Sequence, residues 1–222
     1  MTLQDCEGLG AQVIEAGGFD GSPNPWEIVD FLELGVRYGE AGQKPRVDAD
    51  GDGWRITLDP SARPESQAMS LLHEAAHVLN RSNGIVDTEQ HAWWTALSMM
   101  FPRPEFRSRR REVGWAVESL LAWYPWSSHE ACARRIVMME LAVLWVWDAE
   151  GPRRRRYSVV SPSWRWPMER PTDVEREAMH AALEDRCAVE PIGGVRAWPV
   201  IDPPWTRILC LSDGDVLMGQ AA

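Results

Sequence analysis

Residues 69–80 read Met69-Ser70-Leu71-Leu72-His73-Glu74-Ala75-Ala76-His77-Val78-Leu79-Asn80. The segment predicts a helix opening near Pro64 and closing at Asn83-Gly84, where Gly84 suits the left-handed position just past a helix end. Met69, Leu71, Leu72, Ala75, Ala76, Val78 and Leu79 lie almost all round its cylinder, so the helix is expected to be central and buried. His73 and His77, four apart, lie one above the other, with Glu74 about a hundred degrees round the axis. Two such imidazoles can bind one Zn²⁺, which takes tetrahedral nitrogen or oxygen ligands at about 2.0–2.2 Å and keeps a position open for water. Glu74 is then placed to take a proton from that water. In a chain with 5 His and 33 Asp+Glu, chance supplies about 0.02 such pentapeptides. A pair of histidines touching nothing is the bland alternative, but imidazoles on a buried helix need a partner.

A third ligand is sought on the next helix, which a capping-box-like Asp87-Thr88-Glu89-Gln90 starts and Phe101-Pro102 ends. Glu89, Ala92, Trp93, Ala96, Leu97 and Met100 share one face of it. A carboxylate on an apolar stripe is costly to bury unless it is paired or binds a metal. His91 shares the more polar face with Trp94, Thr95 and Ser98. Glu89 is therefore the better third ligand and His91 the alternative.

Working outward, a short helix is possible near Ala11–Ala16. Asn24 caps a second helix with Pro25 at its first position, and Gly35 is expected to stop it. Val36-Arg37-Tyr38 starts a strand. Arg46-Val47 and Trp54–Leu58 read as strands around an Asp48–Gly53 turn. That turn resembles the opening of a calcium loop, but Asp59 stands where Glu is normal and strands flank it, so a plain Asp/Gly turn is favoured. Downstream, a helix over about 108–123 ends at Pro125, and Ser127-Ser128-His129-Glu130 caps another running to about Trp147. Gly151-Pro152 with Arg153–Arg156 marks a boundary. Beyond it come a strand (Tyr157–Ser161), a helix capped by Thr172-Asp173-Val174-Glu175, strands near 194–200 and 206–211, and a hairpin turn at Asp213-Gly214. The expectation is an α+β chain with a core domain over 1–148 and a C-terminal α/β extension over 149–222.

Hydrophobic content of 45% and charged content of 25% fit a globular protein. The most apolar run, Ile136–Trp147, is short for a bilayer and reads as a buried helix, so no membrane partner is expected. The four cysteines are scattered without a CxxC pair; this suits free core thiols in a reducing cytoplasm. Net charge is −10, which argues against wholesale nucleic-acid binding and confines basic character to Arg103–Arg111 and Arg153–Arg156. The 13 tryptophans form no repeat and read as core or interface mass.

In order along the chain, several segments resemble the ImmA/IrrE metallopeptidase family, the DUF955 group of zincins. Asn24-Pro25-Trp26-Glu27-Ile28 through Leu32-Glu33-Leu34-Gly35-Val36 is similar to its opening helix and strand entry. Trp54-Arg55-Ile56-Thr57-Leu58 resembles the strand before the active helix, and His73-Glu74-Ala75-Ala76-His77 its zinc motif. Glu89-Gln90-His91-Ala92 through Ala96 to Met99-Met100-Phe101-Pro102 resembles the family's E-x-x-A…P signature. Leu121–Ala131 through Arg135-Ile136 is similar to its capped helical stretch. The chain departs at Ala76, where Gly is usual, at Trp93 and Thr95, where Asn and Phe are usual, and at His91, where a second Glu is frequent. The resemblance covers roughly 20–140 and implies a zincin-like core, a small sheet with helices carrying HExxH. It implies zinc on His73, His77 and Glu89, with Glu74 as general base of peptide hydrolysis. The implied substrate is a protein, a helix-turn-helix repressor or similar regulator; a module that grips such a partner without cutting it is the rival expectation. His91, Tyr124 and His129 are candidates for a donor to the developing oxyanion, and the sequence does not choose among them.

Overall fold

The computed structural model describes residues 2–150, 156–162, 170–192, 194–202 and 205–214. Helix α1 (Leu3–Gly17) is longer than the expected Ala11–Ala16, because Cys6, Leu9, Val13 and Ile14 form a buried stripe at helical spacing. In α2 (Pro25–Phe31), Asn24 accepts a hydrogen bond from the Trp26 N–H at 3.1 Å, as the cap reading requires. Its stop differs from expectation. Leu34 N–H donates back to the Val29 carbonyl and Glu33 takes the left-handed turn (φ 55°), so Gly35 is free to begin a strand.

That strand is β1 (Gly35–Tyr38), and β2 (Arg46–Asp50) and β3 (Gly53–Leu58) follow. β3 lies in the middle, parallel to β1 and antiparallel to β2, with Val47 opposite Ile56. Alternation sends Ile56 and Leu58 to one face, where they bury against Val29 of α2 and against Leu71 and Ala75 of α3 (Pro64–Ser82). Gly84 is left-handed (φ 67°), as the helix end demands. Two of the three Asp48–Gly53 carboxylates are held by arginines: Asp48 by Arg46 at 2.9 Å, and Asp50 by Arg55. Asp59 accepts from Gly42 and Ser61.

Helix α4 (Glu89–Met100) packs along α3, and α1 packs along α4. At Gly10 α1 lies close against α4: a Cβ there would run into the Ser98 side chain and stand 3.1 Å from the Thr95 carbonyl. We expect Gly10→Val to destabilise the protein by about 1–3 kcal/mol in urea titration, through overpacking.

A single helix over 108–123 is not what forms. Gly114 (φ 62°, ψ −139°) separates α5 (Arg103–Val113) from α6 (Val117–Leu121), a conformation open to glycine and costly to other residues. Much of the basic segment is engaged within the protein. Arg103 pairs with Glu7, Arg109 lies 4.9 Å over Trp123, and Arg110 lies 4.5 Å over Trp115.

The chain forms two compact units, 1–132 and 133–222, whereas the sequence reading places its break after residue 148. Helix α7 (His129–Met139), with Ser128 accepting from the Ala131 N–H, runs from one into the other. It stops well short of Trp147. Ala142–Glu150 is instead strand β4. A central strand buried on both faces is apolar throughout, so its pattern mimics a buried helix, and only the Val and Trp content favours the strand. β4 pairs with β5 (Arg156–Val160) and, beyond α8 (Asp173–Asp185) and β6 (Val189–Ile192), the hairpin β7 (Val195–Asp202) and β8 (Trp205–Asp213) completes the sheet. The order is β5-β4-β8-β7-β6, antiparallel throughout. Gly214 N–H donates to the Leu141 carbonyl at 2.7 Å. Arg153–Arg155 and the continuation of the hairpin read at Asp213-Gly214 lie outside the described residues.

α8 covers one sheet face, with Ala178, Met179 and Ala182 against Val143, Trp145, Ile208 and Cys210. Glu175 ties it down. This fully buried carboxylate accepts from the Trp145 indole N–H at 2.9 Å, the Ser212 hydroxyl at 2.6 Å and the Thr172 backbone N–H at 2.7 Å. Glu175→Ala strands buried donors on two strands and removes the return half of the Thr172 capping box; urea titration should show a loss of about 2–4 kcal/mol.

Among the described residues no helix is long and apolar enough to cross a membrane. All four cysteines are free: Cys6, Cys132 and Cys210 are buried, while Cys187 is exposed rather than a core thiol.

Candidate metal centre

His73 and His77 stand one helical turn apart on the face of α3 that meets the start of α4, and their Nε2 atoms are 3.3 Å apart. Glu89, the first residue of α4, lies beside both, 3.1 Å from His73 Nε2 and 3.8 Å from His77 Nε2. One donor atom from each of the three lies within 4.8 Å of the others, and among the described residues no other such group of His, Cys, Asp or Glu forms. The expected third ligand is therefore the one that faces the histidines. The reason differs from the sequence argument, since the Glu89 side chain is 81% exposed rather than buried.

The donor set fits a tetrahedral cation. Bonds of about 2.0–2.1 Å place tetrahedral ligand atoms about 3.3–3.4 Å apart; the two Nε2 atoms match this at 3.3 Å, while Glu89 approaches His73 with Oε2 and His77 with Oε1. Tautomer matters as much as distance. The Nδ1 of His77 is 2.5 Å from Asp87 Oδ1, and a carboxylate only accepts, so Nδ1 carries the proton and Nε2 presents its lone pair to the cluster. Burial first, and then the nearby His77, hold the His73 imidazole below its ordinary pKa, which favours the neutral form. Two imidazole nitrogens and a carboxylate thus converge on one point.

Asp87 is the residue that sequence reading missed. It was seen only as part of a capping-box-like start, yet Thr88 is the cap, accepting from the His91 N–H at 3.1 Å. Asp87 grips His77 with one oxygen and Arg81 Nε with the other, the latter at 2.5 Å. Partial burial would raise its carboxyl, but the bonds from His77 and Arg81 outweigh that and hold it below the ordinary value. No periodicity announces such a partner, because Asp87 sits in the connection between two helices. A carboxylate behind a histidine that holds a metal fixes the ring and its tautomer, so Asp87→Ala should weaken any metal binding at the cluster by about 10–100-fold in chelator competition.

Glu74 sits on the adjoining surface. It lines a cleft of about 150 Å³ with Pro45, Met69, Ser70, His73 and Trp93. Burial, more than any neighbour, raises its carboxyl above the usual glutamate value, against the lowering influence of His77, the Val47 N–H and Arg81.

In fold, the chain is similar to a transcriptional regulator of Mycobacterium tuberculosis. The likeness has a TM-score of 0.65 at 10% identity and covers 97% of this chain and 77% of that one. No protein family profile matches the sequence. No curated protein matches it either.

The other sequence candidates stand apart from the three-atom cluster, and none of them lines the cleft. His91 turns away, its Nδ1 2.6 Å from the Val86 carbonyl oxygen. Tyr124 is buried with its ring 5.0 Å from Phe101 and 5.6 Å from Phe106. His129 opens α7 near the charges of Glu118, Arg63 and Glu65, and burial lowers its imidazole pKa. Trp93, which the sequence placed on the stripe of Glu89, lies with its ring 5.2 Å from the His73 ring and tilted 49° to it.

Proposed function

We propose that this chain is a zinc-dependent peptidase of the ImmA/IrrE type, with a zincin-like core in which His73, His77 and Glu89 hold the metal. The observation that carries the reading is the convergence of those three donors, with Asp87 setting the His77 lone pair inward. Zinc, when bound, supplies Lewis acidity: it makes water acidic enough to ionise near neutral pH and polarises a carbonyl. The rest is done by the chain. Glu74, beside His73 in the cleft, accepts the proton from the attacking water and returns it to the departing amine. His77 keeps its orientation through Asp87 and Arg81. Trp93 and Met69 keep one side of the cleft apolar.

By resemblance, the substrate is a helix-turn-helix repressor or similar regulatory protein. The second reading is a regulatory module on the same scaffold that binds its partner without cutting it, and the name of the structurally similar protein, a transcriptional regulator, favours it. Incubating the zinc-loaded chain with a helix-turn-helix repressor found encoded beside its gene, or co-purified with it, separates the two. Fragments that form with zinc and vanish with chelator support the peptidase. A stable complex with an intact partner supports the module.

A further inference from the structure

Trp54, Ile56 and Leu58 alternate onto one face of β3, the face that packs on α3. Trp54 is the member nearest the β2–β3 turn, and it meets the last turn of α3, where the Arg81 guanidinium lies 5.8 Å over its ring. Arg81 follows His77 by four residues, so both side chains rise from one face of the helix. The Arg81 Nε–H donates to Asp87 Oδ2 at 2.5 Å, and the other Asp87 oxygen accepts from His77 Nδ1 at the same distance. An unbroken line of contacts therefore runs from Trp54 through Arg81 and Asp87 to His77, from a strand to a member of the cluster.

We propose that Trp54 is a positioning residue of the metal centre: it restrains Arg81, Arg81 fixes Asp87, and Asp87 keeps the His77 lone pair on the cluster. The inference rests on the metal reading for its effect on zinc, but the line of contacts is made by this chain alone. The Arg81 side chain is 46% exposed. An ion pair at that exposure contributes little by itself, because holding a long side chain in one geometry costs entropy. The Trp54 ring attracts the cation from a second side and adds no charge near the metal. With Arg81 restrained, one Asp87 oxygen is occupied and the other stays on His77. The same hairpin also reaches Glu74, which accepts from the Val47 N–H, and Val47 pairs with Ile56. One small sheet thus sets both the proton acceptor and a ligand.

The test uses the full chain in two arms. In the first, the histidine rings are labelled with ¹⁵N and the metal-free protein is followed by NMR, about two pH units above the ordinary histidine value. His77 should show a protonated Nδ1 and a bare Nε2. Trp54→Leu should move it towards the other tautomer, and Trp54→Phe, which keeps a ring, should restore the parent signal. In the second arm, chelator competition should show zinc held about two- to fivefold more weakly by Trp54→Leu, the worth of one exposed cation–π contact. That loss should vanish in an Asp87→Ala background, where the line is already cut, whereas general loosening of the fold would carry it over unchanged. Should Trp54→Leu not fold, Arg81→Lys replaces it: the charge stays, the planar fork goes, and the His77 signal should move the same way. A His77 signal unmoved by the variant that folds overturns the proposal, and so does an equal zinc loss with and without Asp87; either leaves the metal reading standing. A chain that binds no zinc yet shows the tautomer response keeps the line of contacts and loses the metal centre.

Discussion

Replacing Glu74 by Gln is expected to lower peptide cleavage by about 10²–10⁴-fold while zinc stays bound. Gln has nearly the same shape and fills the same side of the cleft with Pro45, Met69 and Trp93, so the substrate still enters. What it lacks is a carboxylate to accept a proton. His73, His77 and Glu89 are untouched, so metal content and thermal stability should match the parent protein. The pH profile adds a second readout with a definite sign. A general base works only when unprotonated, so activity falls as Glu74 takes up its proton on the acid side. Because burial raises that carboxyl above the ordinary glutamate range, the loss should set in at a higher pH than a solvent-exposed glutamate would give, with zinc occupancy followed in parallel. A Glu74→Gln protein that cleaves like wild type would remove Glu74 from the chemistry; a wild-type protein that binds its partner and leaves it intact would favour the binding-module reading.

The second large effect concerns the choice between two neighbouring residues on α4. Glu89→Ala should cost more than about a hundredfold in zinc affinity, since losing a direct ligand exceeds the 10–100-fold typical of an outer partner. His91→Ala should change it by less than about threefold, because the His91 imidazole is occupied with the Val86 carbonyl rather than the cluster. Chelator competition by both variants, beside Asp87→Ala, gives a graded series: ligand, partner of a ligand, bystander. Equal losses in Glu89→Ala and His91→Ala would show that the cluster is not the site of tight binding.

How far the sequence carried the structure depends on the kind of signal each part emits. The α3 helix, its Pro64 start, its Gly84 end and the His73–His77 pair were legible, because helical spacing and end residues are local properties. The β2–β3 hairpin and the Thr172–Glu175 cap were legible for the same reason. Ala142–Glu150 was not, since a strand buried on both faces loses the alternation that identifies strands. Gly114 splitting α5 from α6 was missed because Leu120 and Leu121 extend the helical reading in sequence, while the backbone turns at Gly114 between the two helices. At the site, the orientation of Glu89 followed from its place on α4, but its exposure did not: a first-turn residue can face a neighbour and still meet solvent. Asp87 and the cleft beside Glu74 were invisible for a deeper reason. Each is made by residues brought together from separate segments, and no spacing along the chain encodes that meeting.

The most direct measurement is anomalous diffraction at the zinc edge from crystals of the full chain supplied with one equivalent of zinc. The expected result is one peak about 2.0–2.2 Å from Nε2 of His73, Nε2 of His77 and a carboxylate oxygen of Glu89. An empty cluster at full loading, or zinc held by other residues, would contradict the metal centre and the peptidase built on it.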